Sequence, residues 1–524
     1  MKNNRLSVSL RGFPPQQRGA ALLVMLVILV LGALTLFVNT LNSASIHQAR
    51  QAQTEAALAL AKDALIGRAL SNPNMPASLP CPDLVTHIAG NNMPNDGVAD
   101  LFNGNDCPSY IGRFPWRTLG LGDVRDGWGE RLWYVLSPNV RDDESAKPLN
   151  SDTAGQLSLQ GDMPQSPLLA MVFSANVPLD GQERSSANEN TLAHYLEGEN
   201  SNGDTVFSRL ASSAQFNDVS ISLSADQLFP LVEKRVLREV RVCLDDYAAV
   251  SGGKYPWASP VSDTAHYWGA WQTYFGRIPV QPNILLGAVD ASTGQFIEAL
   301  VSVQVALNHY IAANNGNTRP ALSLAATQLN LSAQAASDPV SATAISAALT
   351  AADLATNLSQ KSPSAGAAVI QAGINGVQGQ INSVRDELRV AGLIDPNMAL
   401  AWTARCTVFS AGYWDSWKNL LFYQIAEGFQ PGGSGDCGTS CLAITGSGHT
   451  VAGSTHYRAV VVNAGRALVG QVRSTNAVSA YLETANVRTT ADTLTFVTYR
   501  PDDIANAALN NDLVFCLDGR QYCK

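Results

Sequence analysis

Gln16-Gln17-Arg18-Gly19-Ala20-Ala21-Leu22-Leu23-Val24 begins the most informative stretch of this chain, which runs on through MLVILVLGALTLFV to Val38. Residues 20–38 carry no charge. As a helix, such a run is long enough to cross a hydrocarbon core of ~30 Å. Lys2, Arg5, Arg11 and Arg18 precede it and the next charged residue is Arg50, which predicts that residues 1–19 form a cytoplasmic leader. A secretory signal peptide has a shorter apolar core followed by a small-residue cleavage step. Here the small-residue step, Gly19-Ala20, comes before the apolar run.

The helical pattern does not stop at Val38. Residues 44–70 hold no proline, and no glycine before Gly67, and are rich in Ala, Gln, Glu and Lys, which favour helix. Ala56, Leu60, Ala64, Leu65 and Ile66 recur at helical spacing. One helix is therefore predicted from about residue 20 to about residue 70, ended by Ser71-Asn72-Pro73.

Length and charge narrow the possibilities. The chain has 524 residues, enough for several cores, and 15% of them are charged, against about 25% in an ordinary soluble chain. The first 54 residues carry +5, so the remainder carries −14 to give the net −9. An acidic body excludes generic nucleic-acid binding, which needs clustered Lys and Arg. All eight cysteines, Cys81, Cys107, Cys243, Cys406, Cys437, Cys441, Cys516 and Cys523, come after the apolar segment, and none lies in a CxxC pair. If that segment exports the rest, disulfides are expected. Cys81 with Cys107, and Cys437 with Cys441, are the close candidates, and a Cys243–Cys406 bridge would clamp the base of the region between them.

Within the Cys81–Cys107 loop, Asp96, Asp100 and Asp106 sit among Asn residues. Ca²⁺ is the one cofactor this suggests, but the EF-hand spacing is absent and a solvated Asx-rich loop is the plainer reading. The turn Asp126-Gly127-Trp128-Gly129 feeds an aromatic strand, Leu132-Trp133-Tyr134-Val135-Leu136. Residues 231–247 read as a helix with Val232, Val236, Val240, Cys243 and Leu244 on one stripe. Residues 299–384 hold only four charges, and Ile370, Ile374, Val377, Ile381, Val384 and Leu388 form a short heptad seam. Residues 457–469 and 492–499 read as strands.

The leader and the Asp126–Pro138 stretch together resemble type IV pilins, in particular minor pilins and type II secretion pseudopilins with a prepilin-type N-terminal signal. The resemblance covers about the first 140 residues. It implies cleavage between Gly19 and Ala20 by prepilin peptidase, methylation of the new amine, and an assembly helix packed through Leu22, Leu23, Val24, Leu26, Leu29, Leu31, Leu34 and Phe37. The family usually has an aromatic residue or Met where Ala20 stands and Glu where Val24 stands. Loss of that Glu is typical of minor subunits, notably at the filament tip. The helix, Gly252-Gly253 turn and Tyr255-Pro256 resemble the helix-to-Tyr-Pro junction of pilins and hint at a second head, although no long repeat is visible. A Cys516–Cys523 loop would match the C-terminal disulfide loop of many pilins.

The expected fold is α+β: a long N-terminal transmembrane helix packed on a β-rich pilin-like head, with an inserted Ala-rich helical subdomain. Its expected divisions are a leader (1–19), the pilin helix (20–70), the head (71–228), a second helix and linker (229–290), the helical subdomain (291–405) and a C-terminal β-rich region (406–524). The expected location is single-pass in the inner membrane with a periplasmic head, then an extracellular filament or periplasmic pseudopilus. The expected partners are prepilin peptidase, other pilin or pseudopilin subunits and the inner membrane. The expected role is a minor pilin or pseudopilin at or near the tip of a type IV pilus or type II secretion pseudopilus; the alternative is a tip adhesin whose large head binds a surface or receptor. No P-loop, nucleophile elbow, HExxH or dinucleotide motif is present, so no enzymatic activity is expected.

Overall fold

The computed structural model describes residues 18–84, 95–100, 106–142, 148–445, 457–474, 476–487, 494–498 and 510–518, with side chains of 18–24, 32–44 and 411 excepted. The first element is α1, Arg18–Ser71. Its last turns bury Ala57, Leu58, Ala61, Leu65 and Ala69, a stripe spaced by three and four that faces the strands behind it.

Those strands are β1 (Ile111–Arg113), β2 (Trp133–Leu136), β3 (Leu157–Gly161), β4 (Gln165–Ser174), β5 (Val206–Arg209) and β6 (Val219–Ser224). They form one sheet in the order β1-β2-β4-β3-β5, with β6 also on β4. α1 packs on β4 and β6. The other face of the sheet carries a separate apolar cluster of Trp133, Val135, Leu159, Met171, Phe173, Tyr195 and Phe207. The strands alternate between the two layers, as the two-residue period of a sheet requires.

α2 (Ala225–Val250) comes directly after β6 and buries Val232, Val236, Leu237, Val240, Cys243, Leu244 and Tyr247. After it come β7 (Phe275–Arg277) and four consecutive helices, α3 (Ala291–Ala312), α4 (Thr318–Ala335), α5 (Ala342–Ser359) and α6 (Ala367–Val390). Each of the four packs on the next. Small alanines make this possible: Ala344, Ala348, Ala351 and Ala355 on α5 are all buried. On α6 the seam residues Val377, Ile381, Val384 and Leu388 are buried. The chain then returns through α7 (Ala411–Trp417) to β8 (Leu421–Ile425), β9 (Ala443–Thr445), β10 (Ala459–Asn463), β11 (Thr495–Val497) and β12 (Leu513–Leu517).

The second sheet repeats the first. Its order is β7-β8-β10-β12, antiparallel throughout, matching β1-β2-β4-β6. The registers coincide: Gly112 faces Tyr134 and Gly276 faces Tyr423, while Tyr134 faces Val172 and Tyr423 faces Val461. β3 pairs with β5 in parallel, and β9 with β11. α2 packs on β10 and β12 as α1 packs on β4 and β6. The chain is thus two similar units in tandem, the first built on α1 and the second on α2, with α3–α6 inserted between β7 and β8 of the second.

Among the described residues no helix is long and apolar enough to cross a membrane. The described apolar side chains of the N-terminal run, Met25 to Leu31, span only ~10 Å of helix, a third of a hydrocarbon core. This corrects both the transmembrane part of the expected fold and the expected single-pass inner-membrane location; the fold is a mixed α and β one.

Candidate functional site

α1 begins one residue before Gly19, so Gly19 and Ala20 lie in its first turn. Of the expected assembly positions, Leu22, Leu23, Val24, Leu34 and Phe37 have side chains outside the described set. Leu26, Leu29 and Leu31 are exposed, at 58%, 67% and 56%. Met25, Val27, Ile28 and Val30 are exposed as well. A helix with apolar side chains exposed all round is unfavourable in water unless something covers it.

Among the described residues the disulfides are Cys81–Cys107, Cys243–Cys406 and Cys437–Cys441, with Cα separations of 5.4, 4.9 and 5.0 Å. Cys243 lies on α2, and Cys406 lies between α6 and α7, so their bridge ties the inserted helices back to the unit's own helix. Cys523, the expected partner of Cys516, lies outside the described residues.

Among the described residues no group of three or more His, Cys, Asp or Glu side chains could hold a metal ion. Asp96 accepts from the backbone of Val98 and pairs with Arg117 at 3.7 Å. Asp100 accepts from Leu84 N at 2.8 Å. Asp106 is exposed and accepts from Cys107 N and the Tyr110 hydroxyl. Asp83, not singled out in the sequence, is buried and accepts from Gly97 N. Burial, with Asp100 and Asp96 nearby, pushes its carboxyl up to about 7.

What sequence reading missed is a polar cluster that occurs twice. In the first unit, Glu197 N and Asn200 Nδ2 both donate to Asp218 Oδ2 at 2.9 Å. Asn217 N donates to Glu197 Oε2 at 3.0 Å and Gln182 Nε2 to Glu197 Oε1 at 2.8 Å. In the second unit, Glu483 N and Asn486 Nδ2 donate to Asp512 Oδ2 at 2.9 Å. Asn511 N donates to Glu483 Oε2 at 3.1 Å and Gln471 Nε2 to Glu483 Oε1 at 2.7 Å. Burial and the neighbouring glutamate push the Asp218 carboxyl up to about 8 and raise Asp512 too. In each unit the aspartate and glutamate are buried close together and held by backbone and amide donors.

A second feature also recurs. Arg113 stacks on Trp133 and Tyr195, at 3.9 and 4.2 Å from the ring centroids. Arg277 stacks on Phe422 and Tyr481 at 3.9 and 4.3 Å. Each arginine is buried, which lowers its guanidinium pKa, to about 10 for Arg277. The signal was legible in short pieces: Gly-Arg-Phe-Pro at 112 and Gly-Arg-Ile-Pro at 276, Tyr-Leu-Glu at 195 and 481, Asn-Asp at 217 and 511.

No family model, no curated protein and no solved structure matches this chain. The function therefore rests on the residues themselves. The repeated clusters tie each unit's loops to the residues that lead into its last strand.

The two units meet at a defined junction. Residues 148–153 of the first unit lie on the second: Leu149 N donates to Ser416 Oγ and Asn150 Nδ2 to Ser416 O. Ser151 Oγ donates to Glu233 Oε1 at 2.5 Å. Asp152 accepts from Ala467 N and pairs with Arg473 at 3.0 Å. Leu149 and Ser151 are fully buried there.

Proposed function

We propose that this chain is a minor pilin-type or pseudopilin-type filament subunit, cleaved by prepilin peptidase between Gly19 and Ala20 and incorporated at or near a filament tip. The observation that carries the reading is α1. Its C-terminal turns are built into the first unit's core, while Met25 to Leu31 project with every apolar side chain exposed. Apolar area of this kind is stabilised by burial at ~25 cal/mol per Å², and the helices of neighbouring subunits offer the matching surface. Two fused units plus a four-helix insertion make a head too bulky to repeat along a shaft, which favours few copies.

The test is incorporation. Filaments sheared from producing cells are probed for the chain, wild type against Leu26→Asp with Leu29→Asp. The reading expects the wild-type chain in the sheared fraction and at least a tenfold loss in the variant, with an unchanged melting temperature because both residues lie outside the core. Absence of the wild-type chain from the filaments would sink it.

A further inference from the structure

Resting on the filament reading, the tandem repeat points to the surface through which the chain meets its neighbour. In the second unit, the residues that receive the first unit's 148–153 loop are Ser416 before β8, Ala467 and Arg473 after β10, and Glu233 of α2. The repeat places Gly127 and Trp128 before β2, residues 177–184 after β4, and the matching stretch of α1 in the same relation to the first unit's sheet. There the receiving surface is open. It is a cleft of about 410 Å³ whose walls include Gln51 and Glu55 of α1, Trp128, Val177, Leu179 and Leu210. Val177 and Leu210 are 45% and 49% exposed, and Trp128 is only partly buried, whereas its equivalent in the second unit, Trp417, is 0% exposed.

We propose that this cleft receives the corresponding loop of a neighbouring subunit, one of related two-layer fold that presents an apolar residue where Leu149 stands. The first unit's own loop is already spent inside the chain. The second unit's equivalent segment, between β8 and β9, reads Gly-Gly-Ser-Gly-Asp-Cys-Gly-Thr-Ser-Cys over 432–441, and the large apolar residues on either side, Phe429 and Leu442, are buried in the chain's own core. The occupant is therefore a different subunit and not a second copy. A head-to-tail contact of this kind propagates a filament when each subunit has both halves; this chain has a free acceptor and no matching donor, so it stands where the series ends. Pro178 and Leu179 replace Ala467 and Leu468 of the second unit. Proline removes the N–H that Asp152 uses there, so the incoming loop is held by apolar contact with Trp128, Val177, Leu179 and Leu210.

The experiment places a photo-crosslinking amino acid at Val177 or Leu210 of the full chain in producing cells, with Leu331 on α4, 62% exposed, as control. Crosslinked peptides are identified by mass spectrometry. The proposal expects the loop after the second strand of another pilin-type subunit, captured at Val177 and Leu210 and not at Leu331. In parallel, Val177→Arg with Leu210→Arg is expected to cut filament incorporation about tenfold without moving the melting temperature. A crosslink to a second copy or to an unrelated protein overturns the proposal, as does full incorporation of the double variant. If the wild-type chain is incorporated but the cleft captures nothing, this inference alone falls; if it is absent from filaments, the filament reading falls with it.

Discussion

The two buried acid pairs make folding pH-dependent in a direction that can be worked out. Asp218 is held at about 8 in the folded chain, against about 3.9 for a solvated aspartate. Between those values the folded unit keeps a proton that the unfolded chain has released. Stability is therefore fully present below about pH 4 and declines as pH rises, until the folded pair also ionises near pH 8. One retained proton sets the slope at up to ~1.4 kcal/mol per pH unit, and the raised Asp512 adds a second contribution of the same sign. Arg184, hydrogen-bonded to Gln182, and Arg473, beside Glu483, are the cations near the pairs. Asp218→Asn keeps the hydrogen bonds to this side chain, since the amide oxygen can accept from Glu197 N and Asn200 Nδ2, and it has no proton to lose. Urea denaturation at pH 5, 6, 7 and 8, with disulfides intact, is expected to show Asp218→Asn gaining on wild type by up to ~1.4 kcal/mol per pH unit. Parallel pH slopes for the two, or a variant that unfolds at pH 5, would refute the retained proton.

The same geometry sets other outcomes. Replacing Cys243 and Cys406 by Ala opens a 163-residue loop and is expected to cost ~2–5 kcal/mol, read as a lower denaturation midpoint. A Cβ at Gly276 would sit 1.9 Å from Ser259 O, and one at Gly127 2.0 Å from Arg50 O; both Gly→Ala changes should destabilise by more than ~1 kcal/mol, whereas Gly122→Ala, with open space around it, should be near neutral in the same assay. Tyr134→Phe and Tyr423→Phe each strip the hydroxyl that donates to Pro80 O or Pro256 O, and each should cost ~1–3 kcal/mol by leaving a buried carbonyl unpaired.

Local pattern made much of the fold legible. The aromatic run at 132–136 holds β2, the Val232–Val236–Val240 stripe belongs to α2, and of the seam expected over 370–388 Val377, Ile381, Val384 and Leu388 form the buried face of α6 while Ile370 and Ile374 are partly buried, because each rests on side-chain period alone. The strand expected over 457–469 shrinks to Ala459–Asn463, since residues after Asn463 turn away to carry Arg466 and Arg473 onto Asp226 and Asp152. The tandem repeat was hinted at only by the helix-to-Tyr-Pro junction. Its matching residues are polar groups whose roles come from partners about 20 to 30 positions away, such as Glu197 with Asp218 and Glu483 with Asp512. The α3–α6 insertion also separates Arg277 from Phe422, whereas Arg113 and Trp133 are close in sequence. The assembly run was legible as apolar, but reading it as membrane-spanning went beyond what the described helix supports.

Processing of the leader is decided by the mass of the mature N-terminus, measured on chain purified from cells with and without prepilin peptidase. A subunit of the pilin pathway starts at Ala20 only when the peptidase is present, and that is the expected result. A retained leader in both strains, or a cut beyond residue 40, would contradict it.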